Sequence, residues 1–266
     1  MSFERMTRSG VTFYRAEGLG TVHGFSTRHG GVSAPPFDTL NLGLSQGDDP
    51  ACVRENFRRF CAAVGADVDR MVVTHQVHQD NVRIATSADA GKGLDRERDY
   101  DVDGLITNER GLPLVIHSAD CIPVLLHDPV KQVIGACHAG WRGTALGIAA
   151  KTVREMQRIF GCDPADIRAA IGPAIGQCCF ETDGDVPAAL HAALGDEAEP
   201  YITWNGRKYH IDLKAINALW LRKSGVTQID VSGDCTACRT DLYWSHRKHG
   251  GERGSQIAMI SLEDTL

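Results

Sequence analysis

No run of about 18 apolar residues occurs anywhere in the chain, so no helix that crosses a bilayer is expected. The first twenty residues interrupt every apolar stretch with Glu4, Arg5, Arg8, Arg15 or Glu17, which leaves no hydrophobic region for a secretory signal. Positive charge is in deficit: 28 Lys and Arg stand against 34 Asp and Glu, a formal net charge of -6. Affinity for a phosphate backbone rests on clustered basic residues, so a general nucleic-acid binder is not expected. A Pro-, Gly- or Ser-rich linker, a fixed-period repeat and a low-complexity tract are all missing, and 42% hydrophobic residues suffice for a substantial core. Residues 1–266 are therefore expected to form one domain. An even cysteine count is missing too: the nine cysteines include the adjacent pair Cys178 and Cys179, an awkward start for a disulfide framework. Reduced thiols in a cytoplasmic protein fit better.

What is present alternates between the two periodicities of regular structure. Residues 49–64 predict a helix: Asp49 caps, Pro50 suits the first turn, Val53, Phe57, Phe60, Cys61 and Val64 share a face, and Gly65 stops it. A second helix is expected over 144–160, with Leu146, Ala149, Val153, Met156 and Ile159 inward and Gly161 beyond. A third is expected over 212–224 with Asp212 as cap, and a short one near 186–194. Short β-branched or aliphatic runs predict strands at 71–74, 82–86, 112–118, 122–128, 132–137, 167–171, 228–232 and 256–261. The polar segment 87–101 reads as a mobile loop. Strands and helices interleave without a divider, so the expected class is α+β, one domain with helices covering strand layers.

Three segments carry soft ligands or nucleophiles beside small residues: Thr-His-Gln-Val-His at 74–78, Ser-Ala-Asp-Cys at 118–121 and Cys-His-Ala-Gly-Trp-Arg-Gly at 137–143. His78, Cys121 and His138 make a candidate metal site, with His75 an open alternative to His78. Two imidazoles and a thiolate suit zinc, and three protein ligands leave a coordination position free, as in catalytic sites. Cys121 with His138 would equally serve as a metal-free nucleophilic dyad. Arg28 in a glycine-containing turn, Arg142 at a helix start, and His246 with Arg247 near the C-terminus are candidate anion contacts, since a planar guanidinium suits phosphate or carboxylate. The Cys-Thr-Ala-Cys at 235–238 has zinc-knuckle spacing, but no second pair follows it downstream, so a packing or turn role is expected. Gly172-Pro173-Ala174-Ile175-Gly176 is no dinucleotide fingerprint, because its glycines are misplaced and Pro173 breaks the amide cradle.

An ordered set of motifs spans nearly the whole chain: Ser-Thr-Arg-His-Gly-Gly-Val-Ser at 26–33, Asn-Leu-Gly at 41–43, Gln-Val-His at 76–78, Asp-Gly-Leu-Ile-Thr at 103–107, Ala-Asp-Cys-Ile-Pro at 119–123, His-Ala-Gly-Trp-Arg-Gly at 138–143, Ile-Gly-Pro-Ala-Ile at 171–175 and Ser-His-Arg at 245–247. Together they resemble the laccase-domain family, whose bacterial members were called polyphenol oxidases or peptidoglycan editing factors and are now regarded as purine nucleoside phosphorylases. The resemblance implies an α+β fold of mixed β-sheets flanked by helices, a layered α/β/β/α sandwich. It also implies a zinc held at the positions of His78, Cys121 and His138, which favours His78 over His75. The implied activity is phosphorolysis of adenosine, inosine, guanosine and methylthioadenosine, with deamination of adenosine. Arg28, Asn41, Arg142 and Arg247 become candidate contacts to nucleoside or phosphate, and Asp120 or His246 candidate proton carriers. The family's Gly-Arg after Ser-His-Arg is replaced here by Arg253-Gly254-Ser255, so Arg253 is the candidate to take that arginine's place. Two other readings remain: a cysteine hydrolase working through Cys121 and His138, on peptidoglycan precursors, and a copper phenol oxidase. The second would need several histidine clusters where this chain shows one.

Overall fold

The fold is given by a computed structural model in which residues 3–263 are described. In chain order the strands are β1 (Phe3–Arg8), β2 (Val11–Ala16), β3 (Val22–Ser26), β4 (Val72–Val73), β5 (Val82–Ile84), β6 (Gly104–Thr107), β7 (Leu114–Ser118), β8 (Ile122–Asp128), β9 (Val133–Ala139), β10 (Arg168–Ile171), β11 (Glu181–Thr182), β12 (Ile202–Trp204), β13 (Tyr209–Ile211), β14 (Gln228–Val231) and β15 (Gln256–Ser261). The helices are α1 (Pro50–Val64), α2 (Trp141–Ala145), α3 (Ile148–Phe160), α4 (Asp185–Leu194), α5 (Leu213–Lys223) and α6 (His246–His249). Two six-stranded mixed sheets form the centre, one ordered β1-β2-β3-β15-β7-β4 and the other β14-β10-β8-β9-β6-β5, with a small β11-β13-β12 sheet beside them.

Side-chain alternation explains the layering. On β7, Leu114 and Ile116 face one core while Val115 faces another; on β15, Ala258 and Ile260 oppose Ile257 and Met259 in the same way. On β8, Leu125 points into the core shared with Leu114, while Ile122, Val124 and Leu126 point to the far side. Successive strand residues face opposite sides of a sheet, so runs apolar at every position mark sheets buried on both faces. Three cores result: one between the two sheets, one between the first sheet and α1, and one between the second sheet and α3, α4 and α5. This is the α/β/β/α sandwich that the motifs imply.

The capped helices form as their sequences predict. Asp49 accepts from the Ala51 N–H at 2.8 Å, and Asp212 accepts from Ala215 N–H at 2.9 Å. The helix expected over 144–160 is broken instead into α2 and α3, because Gly147 adopts φ 72°, a left-handed conformation that glycine takes without steric cost. A side chain at Gly147 would also press on the Trp220 ring, 3.3 Å away. The polar segment 87–101 is folded around a buried carboxylate: Asp89 accepts from Arg83 at 2.9 Å, Lys92 at 3.0 Å and the Thr86 N–H at 3.0 Å. The strands β1 to β3 were not predicted. β1 is an edge strand whose Glu4, Arg5, Thr7 and Arg8 are exposed, and such charged edges lack the apolar alternation that signals a strand.

His23 of β3 is a buried base held neutral. Its Nδ1 donates to the Thr21 carbonyl at 2.8 Å and its Nε2 accepts from the Ala16 N–H at 2.9 Å. Burial, helped by the charge of Arg15, pulls its pKa down to about 4. Below its ordinary pKa near 6.5 the unfolded chain therefore binds a proton that the folded chain refuses, and stability falls as pH drops from about 6.5 towards 4. Urea unfolding at pH 7.5 and pH 5 should show a loss of about 2 kcal/mol from this residue. A His23→Gln variant should lose correspondingly less stability over the same interval; an unchanged pH dependence would contradict the assignment.

Candidate metal centre

The chain passes between the two large sheets at four places, and three of these crossovers build one cavity of about 640 Å³. The first leads from β4 to β5 and carries His78. The second is the tight turn 119–121 between β7 and β8, where Ser118 Oγ donates to the Cys121 carbonyl at 2.6 Å. The third, between β14 and β15, carries His246, Arg247 and Arg253. His138 lies on β9, paired opposite Pro123 of β8, so Cys121 emerges beside it.

Nitrogen or sulfur ligand atoms of His78, Cys121 and His138 all lie within 4.8 Å of one another, and the two imidazole rings meet edge to face with centroids 4.9 Å apart. His75 lies elsewhere on the same wall, its Nδ1 on the Asp101 carboxylate at 2.7 Å. Gly140 leaves the space that the trio needs: a Cβ there would sit 3.0 Å from His78 and 3.4 Å from the Cys121 sulfur.

Asp103, fully buried, organises these groups and was not among the sequence candidates. It lies in the Asp-Gly-Leu-Ile-Thr motif, and the one local signal is a carboxylate set between Val102 and an apolar strand. Its Oδ1 accepts from His138 Nδ1 at 2.8 Å and from the His78 N–H at 3.1 Å; its Oδ2 accepts from the N–H groups of Val77 and Gln79, both at 3.0 Å. The bond to Nδ1 leaves His138 Nε2 free to face a metal ion, the arrangement by which a carboxylate sets tautomer and ring orientation in metal sites. The three amide bonds hold His78 at φ 60°, a left-handed conformation that costs a non-glycine residue about 1 kcal/mol or more. Gln76 clamps the same loop to β7, donating to the His117 carbonyl at 3.0 Å and accepting from the His117 N–H at 2.7 Å.

Electrostatics follow from burial with close partners. Burial pushes the Cys121 thiol up, but the charge and hydrogen bond of His138, with His78, outweigh it and bring the pKa down to about 6. Burial opposes charge on His138, yet the Cys121 thiolate and Asp103 raise it to about 9. Asp103 itself stays below the usual carboxylate range: burial works to raise it, and the bonds from His138, Gln79 and Val77 prevail.

The other sequence candidates are divided. Asp120, His246 and Arg247 reach the cavity wall. Asp120, at φ 87°, has both oxygens engaged: Oδ1 accepts from Thr236 Oγ1 at 2.6 Å, and Oδ2 from Ser245 Oγ at 3.0 Å and the Arg247 N–H at 2.7 Å. Arg247 commits its guanidinium to the carbonyls of Cys179 and Glu181. Arg28, Asn41 and Arg142 are not on that wall. The Arg28 guanidinium lies 3.8 Å from the Trp244 ring centre and donates to the carbonyls of Asp38 and Thr240; Arg142 stacks on the neighbouring Trp141. Asn41 is fully buried, and its side-chain Oδ1 accepts from the Gly43 and Ser255 N–H groups. Arg28 and Asn41 hold local backbone, whereas Arg142 is exposed beside its neighbouring ring. Two further arginines reach the cavity: Arg98, which the sequence did not single out, and Arg253, the candidate to take the place of the family's arginine. Arg98 donates to the Thr74 carbonyl, and Arg253 donates to the Gly254 carbonyl while its Nε has no hydrogen-bond partner.

In metal-free protein, alkylation of Cys121 by iodoacetamide, followed by peptide mass spectrometry, should rise with a midpoint near pH 6. The ordinary thiol titrates near about 8.5, and a midpoint there would show that His138 does not hold the thiolate.

The sequence model of a family described as "Multi-copper polyphenol oxidoreductase laccase" matches residues 22–263. "Purine nucleoside phosphorylase YlmD" of Geobacillus stearothermophilus is 40% identical over 249 residues, covering 91% of this chain and 90% of its own length. A "Purine nucleoside phosphorylase" of Deinococcus radiodurans is 39% identical, with 97% and 95% covered. The crystal structure of the Geobacillus YlmD superimposes with a TM-score of 0.91 at 38% identity, covering 98% of this chain and 99% of that one. On the extent of that match and the agreement of the folds, the chain belongs to the multi-copper polyphenol oxidoreductase laccase family, several of whose relatives bear the name purine nucleoside phosphorylase.

Proposed function

We propose that this chain is a zinc-dependent purine nucleoside phosphorylase that also deaminates adenosine. The observation that carries this reading is the make-up of the cavity: His78, Cys121 and His138 share it with three arginines, Arg98, Arg247 and Arg253, and with the aromatic rings of Trp141 and Phe180. Its volume falls in the range of small-molecule sites. The two relatives named above bear the name purine nucleoside phosphorylase, which supports the phosphorolysis part of this reading.

The donor set fits a metal. Three convergent ligands with Asp103 behind His138 match an open catalytic zinc site, and the low pKa of Cys121 favours the thiolate that a metal requires. A divalent ion held there supplies Lewis-acid polarisation at a free coordination position, which serves both phosphorolysis and the activation of water for deamination. Among the described residues this is the one convergent group of metal ligands that contains histidine, which speaks against the several copper centres of an oxidase.

In phosphorolysis a phosphate oxygen bonds to C1′ of the ribose, the C1′–N9 bond breaks with its electron pair going to the purine, and the purine takes up a proton. Arg98 and Arg253 are the cations that receive phosphate, and both have their pKa lowered by burial. A partly desolvated guanidinium holds an anion more strongly than one in water. Trp141 and Phe180 offer flat apolar surface to the base. His246 delivers the proton, since Asp120 already accepts three hydrogen bonds. Holding both reactants in one enclosed site removes most of the entropic cost of bringing them together.

The test is release of free base and ribose 1-phosphate from adenosine, inosine, guanosine and methylthioadenosine with phosphate, and of ammonia from adenosine without it. Zinc-loaded protein should be active on both counts. Cys121→Ala should lose activity together with zinc, and Arg253→Ala should raise the KM for phosphate roughly ten- to hundredfold, the worth of a charge-assisted hydrogen bond. Full activity in metal-free Cys121→Ala would sink the proposal. Stoichiometric copper with phenol turnover would restore the oxidase, and metal-independent hydrolysis of a peptidoglycan precursor would restore the cysteine hydrolase.

A further inference from the structure

A second group of metal ligands stands apart from the first. The Cys178-Cys179 pair and the Cys235-x-x-Cys238 motif come together although they lie 56 or more positions apart, and the four sulfurs all lie within 4.8 Å of one another. Cys178 lies 3.6 Å and Cys179 3.4 Å from the Cys238 sulfur. The second pair that the knuckle lacks downstream is supplied from upstream.

We propose that Cys178, Cys179, Cys235 and Cys238 bind a structural zinc ion in a closed tetrathiolate site. A tetrahedral ion with bonds of about 2.3 Å sets its sulfurs about 3.8 Å apart, so the observed spacing needs only small adjustments. Such spacing suits one ion, and soft thiolates in a tetrahedral set select zinc among common divalent metals. The backbone is shaped around the sulfurs. Residues 176–180 turn back on themselves, with the N–H groups of Cys179 and Phe180 both on the Gly176 carbonyl. Cys235 and Cys238 bracket a second turn closed by Cys238 N–H to the Cys235 carbonyl at 3.1 Å. The Gly176 N–H points at the Cys235 sulfur, 3.1 Å away. A Cβ at Gly176 would crowd Cys235 at 3.2 Å and the Cys178 sulfur at 3.3 Å, so the glycine keeps room for the cluster.

The position explains the need for a staple. Locally the apolar core consists of Ile175, Cys235 and Ala237 with Cys179 and Phe180 against them, too little burial to order two loops unaided. These loops support the cavity. Phe180 and Ile175 are on its wall, Thr236 holds Asp120, and the Arg247 guanidinium binds the Cys179 and Glu181 carbonyls. A zinc joining 178–179 to 235–238 fixes this side without taking part in chemistry, since four thiolates leave no open position.

The test uses Cys121→Ala, which removes the histidine-containing site and leaves the four cysteines intact. Purified under reducing conditions without added metal, this variant should retain about one zinc per chain, and after exchange with Co2+ it should show the intense thiolate-to-cobalt absorption of a sulfur-rich tetrahedral site. A further Cys178→Ser/Cys238→Ser change should abolish both signals and lower Tm. Absence of zinc and of thiolate–cobalt absorption in Cys121→Ala would overturn the proposal, as would a disulfide among these cysteines in the intact mass of thiol-protected protein. Neither result bears on whether the other site works, because the residues are distinct.

Discussion

One buried carboxylate holds the candidate active site in register. Asp103 binds the ring of His138 and three successive backbone N–H groups of 77–79, while its own carbonyl accepts from the His138 N–H at 2.7 Å. A carboxylate in a dry interior is costly unless its oxygens are satisfied, and here four donors satisfy them. The same four bonds join a loop leaving one sheet to a strand of the other. Remove that charge and the left-handed His78 loses its support, His138 loses its tautomer, and the thiolate of Cys121 loses part of the field that sustains it.

The scaffold makes this possible by where the chain changes sheets. A continuous double-sided sheet has no room for irregular backbone, so ligands and arginines gather where strands end and the chain crosses. His78, Cys121 and Arg253 all sit on such crossings, and His138 reaches them from the penultimate position of β9. Chemistry is concentrated at the interrupted edge of the sandwich because everything else is packed on both faces.

Much of this was legible in the sequence. The capped helices, the buried strands and the pairing of Cys121 with His138 follow from residue spacing and from small residues beside soft ligands. The choice of His78 over His75 rested on resemblance, and its physical reason, three amides converging on Asp103, is visible only in three dimensions. Arg28 and Arg142 read as anion contacts because turn glycines and helix starts favour anions; in the fold the Arg28 guanidinium is taken up by Trp244 and two carbonyls, while Arg142 is exposed beside Trp141. The break at Gly147 was hidden because apolar spacing continues straight through it. The four-cysteine cluster was hidden for a related reason: its two halves lie far apart in the chain, and contact between them is set by the β10 and β14 pairing that brings residues 171 and 231 side by side.

The central claim, that Asp103 organises the candidate metal ligands, is tested most directly by Asp103→Asn with zinc affinity measured by chelator competition. Loss of a partner behind a ligating histidine typically costs 10- to 100-fold in metal affinity. The account predicts a loss in that range at the histidine-containing site in protein that keeps its fold. Zinc affinity equal to that of the parent protein, in a folded variant, would contradict it.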